Sequence, residues 1–148
     1  MFAGLLQLDV LVQFYFAAVG AFARPQDDKS FALHDMNGTV VAILALVLII
    51  VAALARAPGR LIGLSALPLG LVVLQVLIVE LGRALNDTGD HTTPAGLVIL
   101  GLHAVNGLAI MAVVGILLRR ARQLTRAGGR QPDQRNDASG SSAPATVG

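Results

Sequence analysis

The chain has 148 residues, 55% of them hydrophobic and 14% charged, with a mean hydropathy of +0.71. A soluble domain of this size has too little interior to hide so much apolar surface, and the lack of cysteine excludes disulfides, thiol catalysis and iron–sulfur clusters. The formal charge of +2 says little alone, because the basic residues are unevenly placed, and nucleic-acid binding is not expected.

The apolar text forms four runs, about 2–23, 31–55, 61–85 and 95–118. Each reaches the roughly 20 helical residues that cross a hydrocarbon core. Strand-like alternation is absent, so the reading is all-α, a four-transmembrane-helix up-down bundle rather than a barrel. Run one carries Asp9 near its start and ends in "AFA" before Arg24. It lacks a basic leader, so it is read as a retained helix rather than a cleaved signal peptide. Run two ends in "ARAPGR", where Pro58-Gly59 predicts a tight turn. Pro68 lies early in run three, either as a kink or in a later first turn. Glu80 precedes Arg83 by three residues, which suits an ion pair on one helix face; a proton relay or quinone pocket is the functional alternative for it. Run four opens with "TTP": Thr92 or Thr93 is the expected N-cap and Pro94 the first helical residue. From about Ala127 the text is rich in Gly, Ser and Pro with no apolar face, so 127–148 reads as a disordered tail after a transmembrane domain at 1–126.

Arg56 and Arg60 lie between runs two and three, and Arg119, Arg120, Arg122 and Arg126 follow run four. The other two connections mix signs, with Arg24, Asp27, Asp28 and Lys29, then Arg83, Asp87 and Asp90. The positive-inside rule therefore puts both termini and the central loop in the cytoplasm, with the last arginines near anionic lipid. Asp9 then lies near the cytoplasmic end of its helix, where it can reach the interface. His91 falls in an outer loop as a solvated residue.

The halves of the chain repeat, about 1–56 on 61–120. "PQDDKSFALHDMNG" (25–38) aligns on "PAGLVILGLHAVNG" (94–107), pairing His34 with His103, Asn37 with Asn106 and Gly38 with Gly107. Upstream, "VQFYFAAVG" (12–20) aligns on "LQVLIVELG" (74–82), pairing Gln13 with Gln75 and Gly20 with Gly82. Two crossings per unit keep both copies in one orientation, so the bundle is two parallel hairpin repeats. Asp9 and Glu80 align on Leu71 and Ala18, so neither acid belongs to the duplicated design.

A rise of about 1.5 Å per residue puts His34 and His103 roughly 13 Å below the outer start of their helices, and Gln13 and Gln75 roughly 15 Å down theirs. One polar residue from each helix thus forms a layer in the outer half. In an up-down bundle the second and fourth helices are diagonal, roughly 12–14 Å apart when neighbours are 8–10 Å apart. Two imidazoles reaching inward across that gap match the axial pair of a b-type haem. Gly38 and Gly107, one turn on, leave room for a porphyrin edge, as Gly20 and Gly82 do on the other helices. Asn37 and Asn106, or the glutamines, can accept the Nδ1–H of a ligating histidine. Arg24, Lys29 and Arg83 at the outer rim suit propionates. Zinc lacks a third and fourth ligand in the layer. The alternative is that the Gln/His layer only fixes helix packing.

With "LVQFYFAAVGAF" followed by "LHDMNG", the chain resembles a family of small uncharacterised four-helix bacterial membrane proteins. A histidine early in helices two and four also resembles one half of haem A synthase, which implies haem ligation at His34 and His103 alone. The chain has four helices rather than eight and no acidic motif beside a histidine, so the likeness implies no haem-modifying activity. The expectation is a multi-pass protein of a bacterial inner membrane that binds haem b. It would serve as an electron-transfer or haem-handling subunit with a redox or membrane-complex partner, without catalysis of its own. The other reading is a structural or accessory subunit. A small proton-linked carrier using Glu80 is a third, little supported by helices without breaks.

Overall fold

A computed structural model describes residues 2–27, 29–86 and 92–128. Four helices follow one another: α1 (Phe2–Phe22), α2 (Ala32–Leu54), α3 (Gly59–Asn86) and α4 (Pro94–Gly128). There is no strand among the described residues. All four helices are long and apolar enough to cross a membrane. Outward residues such as Leu8, Val76, Leu77 and Val105 are as apolar as inward ones, as contact with a bilayer requires.

The helix ends fall close to the expected runs, except that α4 continues to Gly128. "RRARQLTRA" contains good helix formers and no Gly or Pro, so nothing stops the helix where the apolar text ends. Ala127 and Gly128, read as tail, are helical; 129–148 lies outside the described residues, as does His91. The chain divides into two units at Leu118/Arg119. In the second, the described helical stretch exposes Arg119, Arg120, Arg122 and Arg126.

The turns carry their own chemistry. After α2, Arg56 takes the left-handed conformation (φ 51°) and its N–H returns to the Ala53 oxygen at 2.9 Å, while the Ala57 N–H reaches the Ala52 oxygen at 3.0 Å. These two bonds close a Schellman end, with an arginine where glycine is usual. Thr93 caps α4 as expected, its Oγ1 accepting the Gly96 N–H at 3.0 Å. The Asn86 side-chain oxygen accepts the Thr93 N–H at 2.9 Å, tying the end of α3 to the start of α4.

The duplication is visible in the packing. The buried hydrophobic side chains of α1 and α2 are Ala3, Leu6, Val10, Val41, Ala45 and Leu48. Shifted by the repeat, these become Ser65, Pro68, Val72, Ile110, Val114 and Leu117, of which all but Val72 are again buried. Pro68 therefore lies within α3, where it occupies the core position of Leu6. All these residues lie toward the end of the bundle that carries Arg56 and Arg60. That half is solid; the other half, nearer the α1–α2 and α3–α4 connections, is hollow.

At the hairpin tops, a Cβ on Gly20 would come within 2.7 Å of the Ser30 oxygen and 2.6 Å of the Phe31 ring, and one on Gly82 within 2.7 Å of Leu100. Phe31 and Leu100 are repeat partners. These two glycines are thus filled by neighbouring helices rather than left open for a porphyrin. Close approach at small residues is how helices associate in lipid, which offers no hydrophobic drive between them.

Candidate cofactor site

The polar layer sits where the solid half meets the hollow half, and its amides form two equivalent clasps. Gln13 donates from Nε2 to the main-chain oxygen of His34 at 2.9 Å, and Gln75 does the same to His103 at 2.7 Å. Asn37 donates to Gln13 Oε1 at 2.8 Å and to the Asp9 carbonyl at 3.4 Å. Asn106 donates to Gln75 Oε1 and to the Leu71 carbonyl at 2.9 Å. Each amide pair thus uses donors and an acceptor on the partner helix. A Cβ on Gly38 would stand 3.3 Å from the Gln13 amide nitrogen, and one on Gly107 3.7 Å from that of Gln75. These glycines make room for the clasp as well as lining the space beside it.

The imidazoles are not the hinge of either clasp, because the amides take main-chain oxygens. Their rings instead turn toward each other across the diagonal, centroids 5.9 Å apart at 54°. His34 Nδ1 meets the Gln13 main-chain oxygen at 3.2 Å, and its Nε2 meets Gln13 Nε2 at 3.3 Å. A proton on Nδ1 satisfies both contacts, with Nε2 as acceptor. The group that holds this nitrogen is therefore a main-chain carbonyl, not the asparagine or glutamine side chains expected. His103 Nδ1 is buried and has no hydrogen-bond partner.

Three spaces converge on the two histidines. A chamber of about 180 Å³ runs into the core between Phe14, Gly38, Gly107 and Ile110. A cleft of about 390 Å³ lies between α2 and α3 and is edged by Asp35, Thr39, Val76, Glu80 and Arg83. A vestibule of about 870 Å³ opens toward the hairpin connections past Gln26, Asp27 and Phe31. His34 and His103 line all three.

Of the rim cations, Arg83 lines both larger spaces, and its guanidinium also meets Glu80 at 2.8 Å, the expected pair along one helix. Arg24 bends back to the Ala23 oxygen at 2.9 Å and borders none of the three. Asp9 is half-buried, and its Oδ2 is buried without a hydrogen-bond partner. No group of three or more His, Cys, Asp or Glu side chains gathers among the described residues.

Sequence reading had not singled out Phe14 or Asp35. Both signals lay in the repeat, which sets Phe14 against Val76 and Asp35 against Ala104.

Residues 13–82 match a family of unknown function, DUF6220. The matched stretch begins at the first clasp glutamine and ends at the second close-packing glycine, so it covers the second half of α1, all of α2 and most of α3. It agrees with the expected resemblance to a small uncharacterised four-helix family. No curated protein and no solved structure matches the chain, and the likeness to half of haem A synthase rests on the histidine pattern alone.

Proposed function

We propose that this four-helix membrane protein binds a b-type haem between His34 and His103 and serves as an electron-transfer or haem-handling subunit of a bacterial inner membrane. The observation that carries the reading is the pair of diagonal imidazoles, 5.9 Å apart, standing where three cavities meet. A metal bonded to an imidazole nitrogen on each side at about 2 Å needs ring centres about 6 Å apart. Two imidazoles suit a macrocycle that brings the remaining ligands itself. The chamber alone lies below the usual range of about 300–1,000 Å³ for ligand sites, whereas chamber and cleft share the histidines and glutamines and serve together.

The chain's residues divide the work. His34 would hold the haem through Nε2, whose lone pair faces Gln13, while its Nδ1–H on the Gln13 carbonyl would fix the ring. Gln13, Asn37, Gln75 and Asn106 hold the helices that carry the ligands. Haem bound in this way supplies one-electron transfer.

The test is the visible spectrum of the protein purified from haem-supplemented cells. A Soret band in the wild type, lost in His103→Ala while the protein still inserts, is expected; a wild type with no band refutes the reading. The second reading, a structural or accessory subunit, is favoured by the duplicated amide clasps, which need no cofactor. It expects no band and intact assembly.

A further inference from the structure

The two repeats match in the clasps and in the core, but not at the seams where one repeat meets the other. At the α2/α3 seam, Asp35, Glu80 and Arg83 edge the cleft that leads to the histidines. Their repeat counterparts at the α1/α4 seam are Ala104, Ala18 and Ala21. The aromatic asymmetry runs the other way. Val76 edges the open cleft, while its counterpart Phe14 lies with its ring tip 3.3 Å from where a Gly107 Cβ would stand. One seam is polar and open; the other is apolar and filled by a phenyl ring.

We infer that the α2/α3 seam is the side entrance to the histidine pair, through which an amphiphilic planar ligand passes, and that Arg83 holds its anionic edge. This rests on the haem reading, with the propionates as that edge. Arg83 is the cation that lines the cleft, and Glu80, three residues back, keeps it turned along the rim. Asp35 and Glu80 oppose an anion, so the arginine alone supplies the attraction. Both acids draw the mouth toward water, which lets charged propionates stay solvated while the apolar ring goes inward. Phe14 closes the opposite seam, so of the two seams only α2/α3 admits the ligand from the side.

The experiment is haemin uptake by apo-protein in lipid nanodiscs, followed by growth of the Soret band. Val76→Phe, which places a phenyl group at the open seam, should slow uptake about tenfold, and Arg83→Gln should weaken retention about tenfold. Arg24→Gln should change neither. Glu80→Gln, which frees Arg83, should strengthen retention; a purely structural ion pair predicts the reverse. The chain has no cysteine, so Thr39→Cys can be alkylated selectively in the folded apo-protein, and a bulky maleimide there should block uptake. A wild type that develops no Soret band overturns the haem reading and this inference with it. A wild-type band with normal uptake by Val76→Phe and by alkylated Thr39→Cys, and normal retention by Arg83→Gln, overturns the entrance alone.

Discussion

The side-chain amide of Gln75 donates to the main-chain oxygen of His103 at 2.7 Å, so α3 is tied to α4 through a carbonyl that any residue at 103 would present. The bond uses the second lone pair of an oxygen already within a helix. Its loss also strands Asn106, whose Nδ2 donates to Gln75 Oε1. Gln75→Leu should therefore lower unfolding stability in detergent by about 1–2 kcal/mol, and Gln13→Leu by a similar amount at the equivalent clasp. Denaturant titration of both variants checks this; wild-type stability in either would rule out a working clasp.

The clasps end on main-chain oxygens, so helix pairing does not depend on the imidazole of His103, and His34 adds ring contacts to Gln13 alone. Replacing both His34 and His103 by Gln should leave insertion and helical content unchanged while removing all haem absorbance. Circular dichroism and visible spectra on the same sample separate the two effects. Loss of the fold itself would mean that the rings are structural.

Gly20 and Gly82 should differ in tolerance although they are repeat partners. A methyl group at Gly20 meets main-chain Ser30 O at 2.7 Å, whereas one at Gly82 meets the far end of the Leu100 side chain. Leucine can change rotamer and a backbone cannot. Gly20→Ala should cost about 1–3 kcal/mol, the range for overpacking, and Gly82→Ala less, as thermal unfolding in detergent would show.

Thr93 joins an N-cap to a connection between helices. Thr93→Ala should cost about 1 kcal/mol, while Thr93→Ser keeps the oxygen that accepts the Gly96 N–H and should restore most of the loss. Equal stability of the two variants would remove the cap from the account.

Arg119, Arg120, Arg122 and Arg126 are exposed and no acidic residue lies among them. The positive-inside rule expects a reporter fused after them to be active only in its cytoplasmic form. Activity of a periplasm-dependent reporter at that position would reverse the orientation.

Much of this protein was legible before any coordinates. Helix number and approximate bounds follow from apolar run length against bilayer thickness, a constraint that is local to each segment. The equivalence of His34 with His103 and of Gln13 with Gln75 follows from internal alignment, which reads duplication directly. The Thr93 cap and the Glu80–Arg83 pair are near-neighbour effects, set by helix geometry over three residues.

Other features depend on which atoms meet across the bundle. Sequence names Gln13 and Asn37 as polar, but only packing makes them a clasp on the His34 carbonyl and leaves the Gln13 carbonyl to His34 Nδ1. A main-chain oxygen has no letter of its own. The glycine pairs look alike in the text, yet Gly20 and Gly82 are filled by Phe31 and Leu100, while Gly38 and Gly107 line the chamber. The seams are decided the same way: Phe14 and Val76 are both apolar letters in equivalent positions, and only the volume around Gly107 shows that one closes its side. Sequence by itself determined the spans, the repeat and the polar layer, because these follow from local hydrophobicity and spacing. Tertiary structure decided which polar atoms close the clasps and that both imidazoles face one another beside the cavities, because hydrogen bonds and steric exclusion act between segments far apart in the chain.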